Sequence, residues 1–272
     1  MNPPRASRMS HEIAVEIGGM PILLRTRETD FCALLEQRYA GFVRLSAKPR
    51  FRLEVDVVRP ERPVCQSEEL RVWKDGRMWR LERGDFRAEC DLEAGRGRIL
   101  QSLSPYAIDS VLRIVHTLIQ ARAGGFLLHA ASAIRNRKAF LFCGVSGAGK
   151  TTVSRLAPPD ATLLTDEISY IRPRGGAYWA CGTPFAGQLA RLGENRAAPI
   201  ARLFFLAKGS DNRIESVGTS EALRMLLRNI LFFADDSDLI QAVFRSACDF
   251  LARVSVARLR FYPDGRVWDL LH

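Results

Sequence analysis

Lysine is scarce in this chain of 272 residues, occurring only at Lys48, Lys74, Lys138, Lys150 and Lys208. The net charge of +10 is therefore carried almost wholly by arginine. Such a field favours anionic partners. The arginines are scattered, without the interleaved aromatics of a single-strand groove, so nucleic acid is a poor fit as partner. Long apolar runs are missing too, and nothing approaches the roughly 20 residues of a membrane span. Met1-Asn2-Pro3-Pro4-Arg5 leads into no apolar segment, which excludes a signal peptide and predicts a short disordered tail over 1–10. The six cysteines lie far apart, no C-x-x-C pair occurs, and there are only four histidines, which excludes a Cys/His metal cluster. Several cysteines stand in apolar runs, as reduced buried thiols do, and this points to the cytoplasm. Repeats and low-complexity stretches are absent as well.

Patterning divides the rest into two parts. Over 11–103 the chain reads as a small β-rich domain. Glu12–Ile17 and Phe51–Val57 alternate as half-buried strands do, further short strands follow from Leu70 to Leu100 between glycine-bearing turns, and a short helix lies near Thr29–Tyr39. Over 104–272 the pattern is α/β (α+β), a mixed sheet with flanking helices. Ser104-Pro105 opens a helix that Gly124-Gly125 ends. Strands are predicted at Phe126–Ile134, Lys138–Cys143, Ala161–Glu167 and Arg202–Leu206, with a hairpin over Ile168–Trp179. Helices are predicted at Ser220–Phe233 and after Ser237, and a β-hairpin from Val254 to Leu271 about Pro263-Asp264-Gly265.

One of the five lysines sits in the most informative segment. Gly144–Thr151 reads GVSGAGKT and matches G-x-x-x-x-G-K-[ST] between an apolar strand and a helix. A turn of that kind points backbone N–H groups at an anion. Gly144, Gly147 and Gly149 are expected to supply backbone angles that a Cβ would forbid and to let the chain approach phosphate oxygens closely. The nucleotide-binding set is Gly144, Ser146, Gly147, Ala148, Gly149, Lys150, Thr151 and Thr152. Lys150 reaches the β/γ-phosphates, and the Thr151 hydroxyl binds Mg²⁺. Asp166 and Glu167 end an apolar strand 16 and 17 residues after Lys150. Carboxylates there suit Mg²⁺ binding (Thr151, Asp166, Glu167) and acceptance of a proton from an attacking hydroxyl. His129 lies in a strand expected to neighbour the loop strand. Thr183-Pro184-Phe185 is either a substrate-positioning turn or a rigid one. Arg172, Arg174, Arg191, Arg196 and Arg202 are candidates to counter transition-state charge, and His11, His116 and His272 carry no assigned role.

Together, these residues resemble the HPr kinase/phosphorylase superfamily, in which a histidine stands 15 residues before the loop's first glycine, as His129 does before Gly144, and an acidic pair closes the strand after the helix. The resemblance covers roughly 104–272. It implies the phosphoenolpyruvate carboxykinase fold, with Asp166 as acid/base, Lys150 and Thr151 handling phosphate and Mg²⁺, and His129 assisting. Asp-Glu replaces the family's Asp-Asp one residue closer to the lysine, which leaves the roles of Asp166 and Glu167 open to exchange. CGTPF (Cys181–Phe185) and PIARLFFL (Pro199–Leu206) stand where the family's glycine signature belongs. They look more like HPr-kinase-like proteins of peptide clusters, including lasso peptide precursor kinases. The expected activity is ATP- and Mg²⁺-dependent phosphorylation of a serine on a small protein or peptide. The alternatives are a small-molecule phosphotransferase and a nucleotide-binding regulatory factor without transfer. Family members form rings, which raises a homo-oligomer and leaves the oligomeric state open.

Overall fold

The computed structural model describes residues 10–44, 48–58, 69–185, 187 and 193–271. The tail before Ser10, Cys65, Arg191 and His272 lie outside the described residues. The chain divides into two compact units after Leu112, within a helix.

The first unit is built on β1 (His11–Ile17), β2 (Met20–Thr26), α1 (Thr29–Arg38), β3 (Phe51–Val57), β4 (Arg71–Asp75), β5 (Met78–Arg83), β6 (Phe86–Asp91) and β7 (Arg96–Gln101). The seven strands form one mixed sheet in the order β1-β2-β3-β7-β6-β5-β4. Strands β2, β3 and β7 run parallel, and the remaining pairs are antiparallel. Alternation decides the faces. Phe51, Leu53 and Val55 are buried, while Arg25 bonds to Glu12 and Glu54, and Arg98 bonds to Asp56 in the solvent. Helix α1 buries Phe31, Cys32 and Leu35.

Helix α2 (Pro105–Ala123) leads into the second unit, which continues with β8 (Phe126–Arg135), β9 (Lys138–Cys143), α3 (Lys150–Arg155), β10 (Thr162–Thr165), β11 (Ile168–Arg174), β12 (Ala177–Cys181), β13 (Ala197–Lys208), β14 (Arg213–Glu215), α4 (Thr219–Asn229), β15 (Ile230–Leu231), α5 (Ser237–Arg253), β16 (Ser255–Phe261) and a 3₁₀ helix at Gly265–Leu270. Its nine strands form a second mixed sheet. Strand β9 lies between β8, antiparallel, and β13, parallel. Strand β16 runs parallel to β13 on the other side. Both faces of β9 are covered, which explains its unbroken apolar run. Ala139, Leu141 and Cys143 pack with residues of α4 and α5. Phe140 and Phe142 pack with Val153 of α3 and with Val267 and Trp268.

Three expectations need correction. The strand predicted through Glu167 stops at Thr165, because the Thr165 hydroxyl oxygen accepts the backbone N–H groups of Glu167 and Ile168 at 3.3 Å each and bends the chain. The helix predicted to Phe233 ends at Asn229, where Ile230 and Leu231 turn extended and pair with β8. The final β-hairpin does not form. Strand β16 pairs with β13, and the Asp264 carboxylate accepts from Arg266 N at 2.9 Å, capping a 3₁₀ turn that buries Val267 and Trp268. Cys32, Cys90, Cys143 and Cys181 are buried free thiols, whereas Cys248 is exposed. No helix among the described residues is long and apolar enough to cross a membrane.

Trp268 is 1 % exposed, donates from Nε1 to the Val153 carbonyl at 3.0 Å and meets Phe142 edge-on at 5.4 Å. Trp268→Ala is expected to destabilise this unit by about 3–5 kcal/mol, read as a lowered urea midpoint.

Candidate functional site

Strand β9 delivers the chain into the glycine loop at its C-terminal end, and α3 begins at Lys150. Gly147 (φ +76°) and Gly149 (φ +110°) occupy backbone conformations that L side chains rarely adopt. Gly144 needs closeness instead, since a Cβ there would meet the Ala148 Cβ at 2.7 Å. A Cβ on Gly149 would also strike the Phe261 ring at 2.5 Å, so the end of β16 seals the base of the loop. Lys150 donates from Nζ to the carbonyls of Gly144 at 2.7 Å and Val145 at 3.4 Å. Its ammonium is thereby curled back over the loop.

The acidic pair reaches the same place through β8. Ser132 pairs with Thr165 of β10, and His129 pairs with Ile168 of β11. Asp166 and Glu167 occupy the two positions between those strands, level with Ala130 and Ala131. On the other side of β8, Ala130 pairs with Cys143, so His129 is adjacent in register to Gly144. The result is one cavity of about 340 Å³ lined by His129, Ser146, Gly147, Gly149, Lys150, Thr151, Thr152, Asp166, Glu167 and Gly187. Gly144 and Ala148 support the loop without lining it.

Asp166 is 3 % exposed, and its Oδ1 accepts from Gly187 N at 2.8 Å. A Cβ on Gly187 would come within 2.6 Å of Glu167 Oε2 and 3.0 Å of Asp166 Oδ2, so glycine lets the backbone close over both carboxylates. Burial holds the Glu167 carboxyl above the usual range. Arg113 opposes that rise, Asp166 adds to it, and Lys150 opposes it. Burial also lowers the Lys150 ammonium, against Cys143 and Glu167, which raise it. The His129 imidazole is lowered by burial and by the charges of Lys150 and Arg113. The site therefore favours a neutral imidazole at His129.

Other sequence candidates go elsewhere. Thr183 is fully buried and donates to the Ile168 carbonyl at 2.7 Å, which makes Thr183-Pro184-Phe185 a structural turn. Arg174 stacks on Trp179, Arg196 bonds to Thr162, Arg202 bonds to Ser255, and neither these three nor Arg172 lines the cavity. Two residues passed unnoticed in the sequence. Gly187 carries no side-chain signal. Arg113 is a lone charge inside the apolar run of α2, a pattern that reads first as helix periodicity.

The family model described as "SynChlorMet cassette protein ScmC" matches residues 90–272, more than half of the chain and all of the site. The chain belongs to the ScmC family. No curated protein matches this ScmC family member. Among solved structures, the Hpr(Ser) kinase/phosphatase from Coxiella burnetii is similar over 45% of this chain and 87% of that one, at 11% identity and a TM-score of 0.25. A likeness that slight carries no argument about fold or activity.

The raised Glu167 has a measurable cost. A carboxyl held above its unfolded pKa contributes stability that is intact below the unfolded value and lost as pH rises through the folded one. At neutral pH the ionised Glu167 therefore works against the fold. Glu167→Gln is expected to raise the melting temperature of the ligand-free protein at pH 7–8, with the gain vanishing near pH 4, as followed by circular dichroism.

Proposed function

We propose that this protein is an ATP- and Mg²⁺-dependent kinase that phosphorylates a serine-type hydroxyl on a small protein or peptide. The observation that carries the reading is the single cavity in which the glycine loop, Lys150 and Thr151 face His129, Asp166 and Glu167. A loop built this way, opening a helix, suits a polyphosphate, and adjacent carboxylates suit its metal and its acceptor.

The donor set fits Mg²⁺. Thr151, Asp166 and Glu167 offer hard oxygen, and among the described residues no cluster of three or more His, Cys, Asp or Glu is poised to cage a metal. Mg²⁺ is ordinarily held by one or two carboxylates together with substrate phosphates and water. Thr151 and Glu167 would hold it here. When bound, it supplies charge neutralisation across the β- and γ-phosphates.

In this reading, the loop amides and the first turn of α3 bind the phosphate oxygens, and Lys150 leaves the loop carbonyls to meet them. The acceptor oxygen attacks the γ-phosphorus while its proton passes to the Asp166 carboxylate, which Gly187 N orients at 2.8 Å. The bond from γ-phosphorus to the bridging oxygen breaks, and its electron pair departs with ADP. Neutral His129 orients the acceptor hydroxyl by a hydrogen bond. The family's description as a cassette protein directs the search for an acceptor to peptides encoded by neighbouring genes.

The test follows the γ-phosphate. Purified protein, Mg²⁺ and γ-labelled ATP, mixed with such a peptide, should place label on a serine. Asp166→Asn should slow this by about 10²–10⁴-fold, the usual contribution of a positioned base. Label remaining on tightly bound ATP, or wild-type rates in the variant, would overturn the assignment.

A further inference from the structure

On the kinase reading the cavity takes the phosphates of a nucleotide, and its base must lie elsewhere. Apart from His129 at the acidic end, no residue lining the cavity has a ring or a broad apolar face. A nucleobase presents two flat faces and is commonly held by stacking on an aromatic side chain.

The sheet fixes the side on which the base leaves. Asp166, Glu167 and His129 stand on the β8 side of the loop strand β9, and the transferred phosphoryl group must face them. The nucleoside then lies toward the other side, over the C-terminal ends of β13 and β16, which run parallel with β9. Neighbouring strands are about 4.8 Å apart, so β16 stands roughly 10 Å from β9, a span that a triphosphate and ribose can cross. The loop already rests on both strand ends. A Cβ on Gly144 would lie 3.6 Å from the Leu206 Cβ of β13, and one on Gly149 would lie 2.5 Å from the Phe261 ring of β16.

Tyr262 comes next, its Cα about 3.8 Å from that of the residue touching the loop. Its backbone is held on both sides. Tyr262 N donates to Asn212 Oδ1 at 2.9 Å, and its carbonyl accepts from Asp264 N at 2.8 Å. Asn212 Nδ2 donates to Asp264 Oδ1 at 3.2 Å, and Gly209 N donates to the Phe261 carbonyl at 3.0 Å, which ties the ends of β13 and β16 together. The side chain takes no part in this. Its ring is 52 % exposed, and among the described residues neither ring nor hydroxyl has a partner. A fixed backbone beside the loop thus carries an idle aromatic face, which gains by being covered.

We infer that Tyr262 is the stacking platform for the nucleobase, a purine, so that the nucleotide spans from the acidic pair across the loop to the end of β16.

The test measures, by calorimetry, affinities for a non-hydrolysable Mg·ATP analogue and for Mg·tripolyphosphate, which lacks ribose and base. Wild type is compared with Tyr262→Ala and Tyr262→Phe, both at an exposed position. The alanine variant should lose roughly 10–100-fold in affinity for the ATP analogue, the range of one base–aromatic stack. It should keep wild-type affinity for tripolyphosphate, and the phenylalanine variant should keep both. Equal affinity for the ATP analogue in wild type and alanine variant would overturn the platform and leave the kinase reading intact. So would equal losses for both ligands, which would place the effect on the loop instead. A phenylalanine variant as weak as the alanine one would overturn stacking, since the hydroxyl would then carry the contact. A wild type that binds neither ligand would overturn the kinase reading as well.

Discussion

The antiparallel pairing of β8 with β9 is the constraint on which the site depends. It sets His129 beside Gly144 on one edge of β8, while β10 and β11 take the other edge and leave Asp166 and Glu167 between them. A slip of one residue in either ladder would turn His129 to the opposite face and carry the carboxylates out of reach of the loop. Small residues at Ala130 and Ala131, both fully buried, allow the bend at Thr165 to press close to β8.

That geometry is bought by crowding charges that would separate if free. Lys150 is depressed and Glu167 is raised, both chiefly through burial, and Asp166 lies almost wholly inside. The two-sided core around β9 offsets this strain, with the Phe142 and Phe204 rings stacked on one face and Leu141 against the α4–α5 layer on the other. An anion entering the loop would relieve Lys150 and draw it off the Gly144 carbonyl. Hydrophobic packing thus holds these charges together.

Much of this was legible in the residues. The loop's spacing, the strand–turn–helix around it and the acidic pair are local features, while His129 was legible as a residue of the neighbouring strand and gained a site role only through the resemblance, which sets a histidine 15 residues before Gly144. Strand alternation likewise located β3 and the β5–β6–β7 meander, whose turns are marked by glycine. What escaped was set by distant partners. The last segment reads as a hairpin because Pro263-Asp264-Gly265 is good turn chemistry, but the burial of Trp268 against Val153 wins and winds it into a 3₁₀ helix. Ile230 and Leu231 leave the α4 helix because β8 has backbone groups to satisfy. The acidic strand ended early for a local reason that is visible only in three dimensions, a threonine hydroxyl capturing two backbone amides.

The contact of Phe261 with Gly149, and of Trp268 with Val153 across 115 positions, carries a consequence for how the protein comes into being. A chain leaving the ribosome presents its glycine loop long before the strand that braces it has been made. Strand β16 must then find its parallel place beside β13, a slow, long-range closure. The loop is accordingly braced only when the whole unit folds.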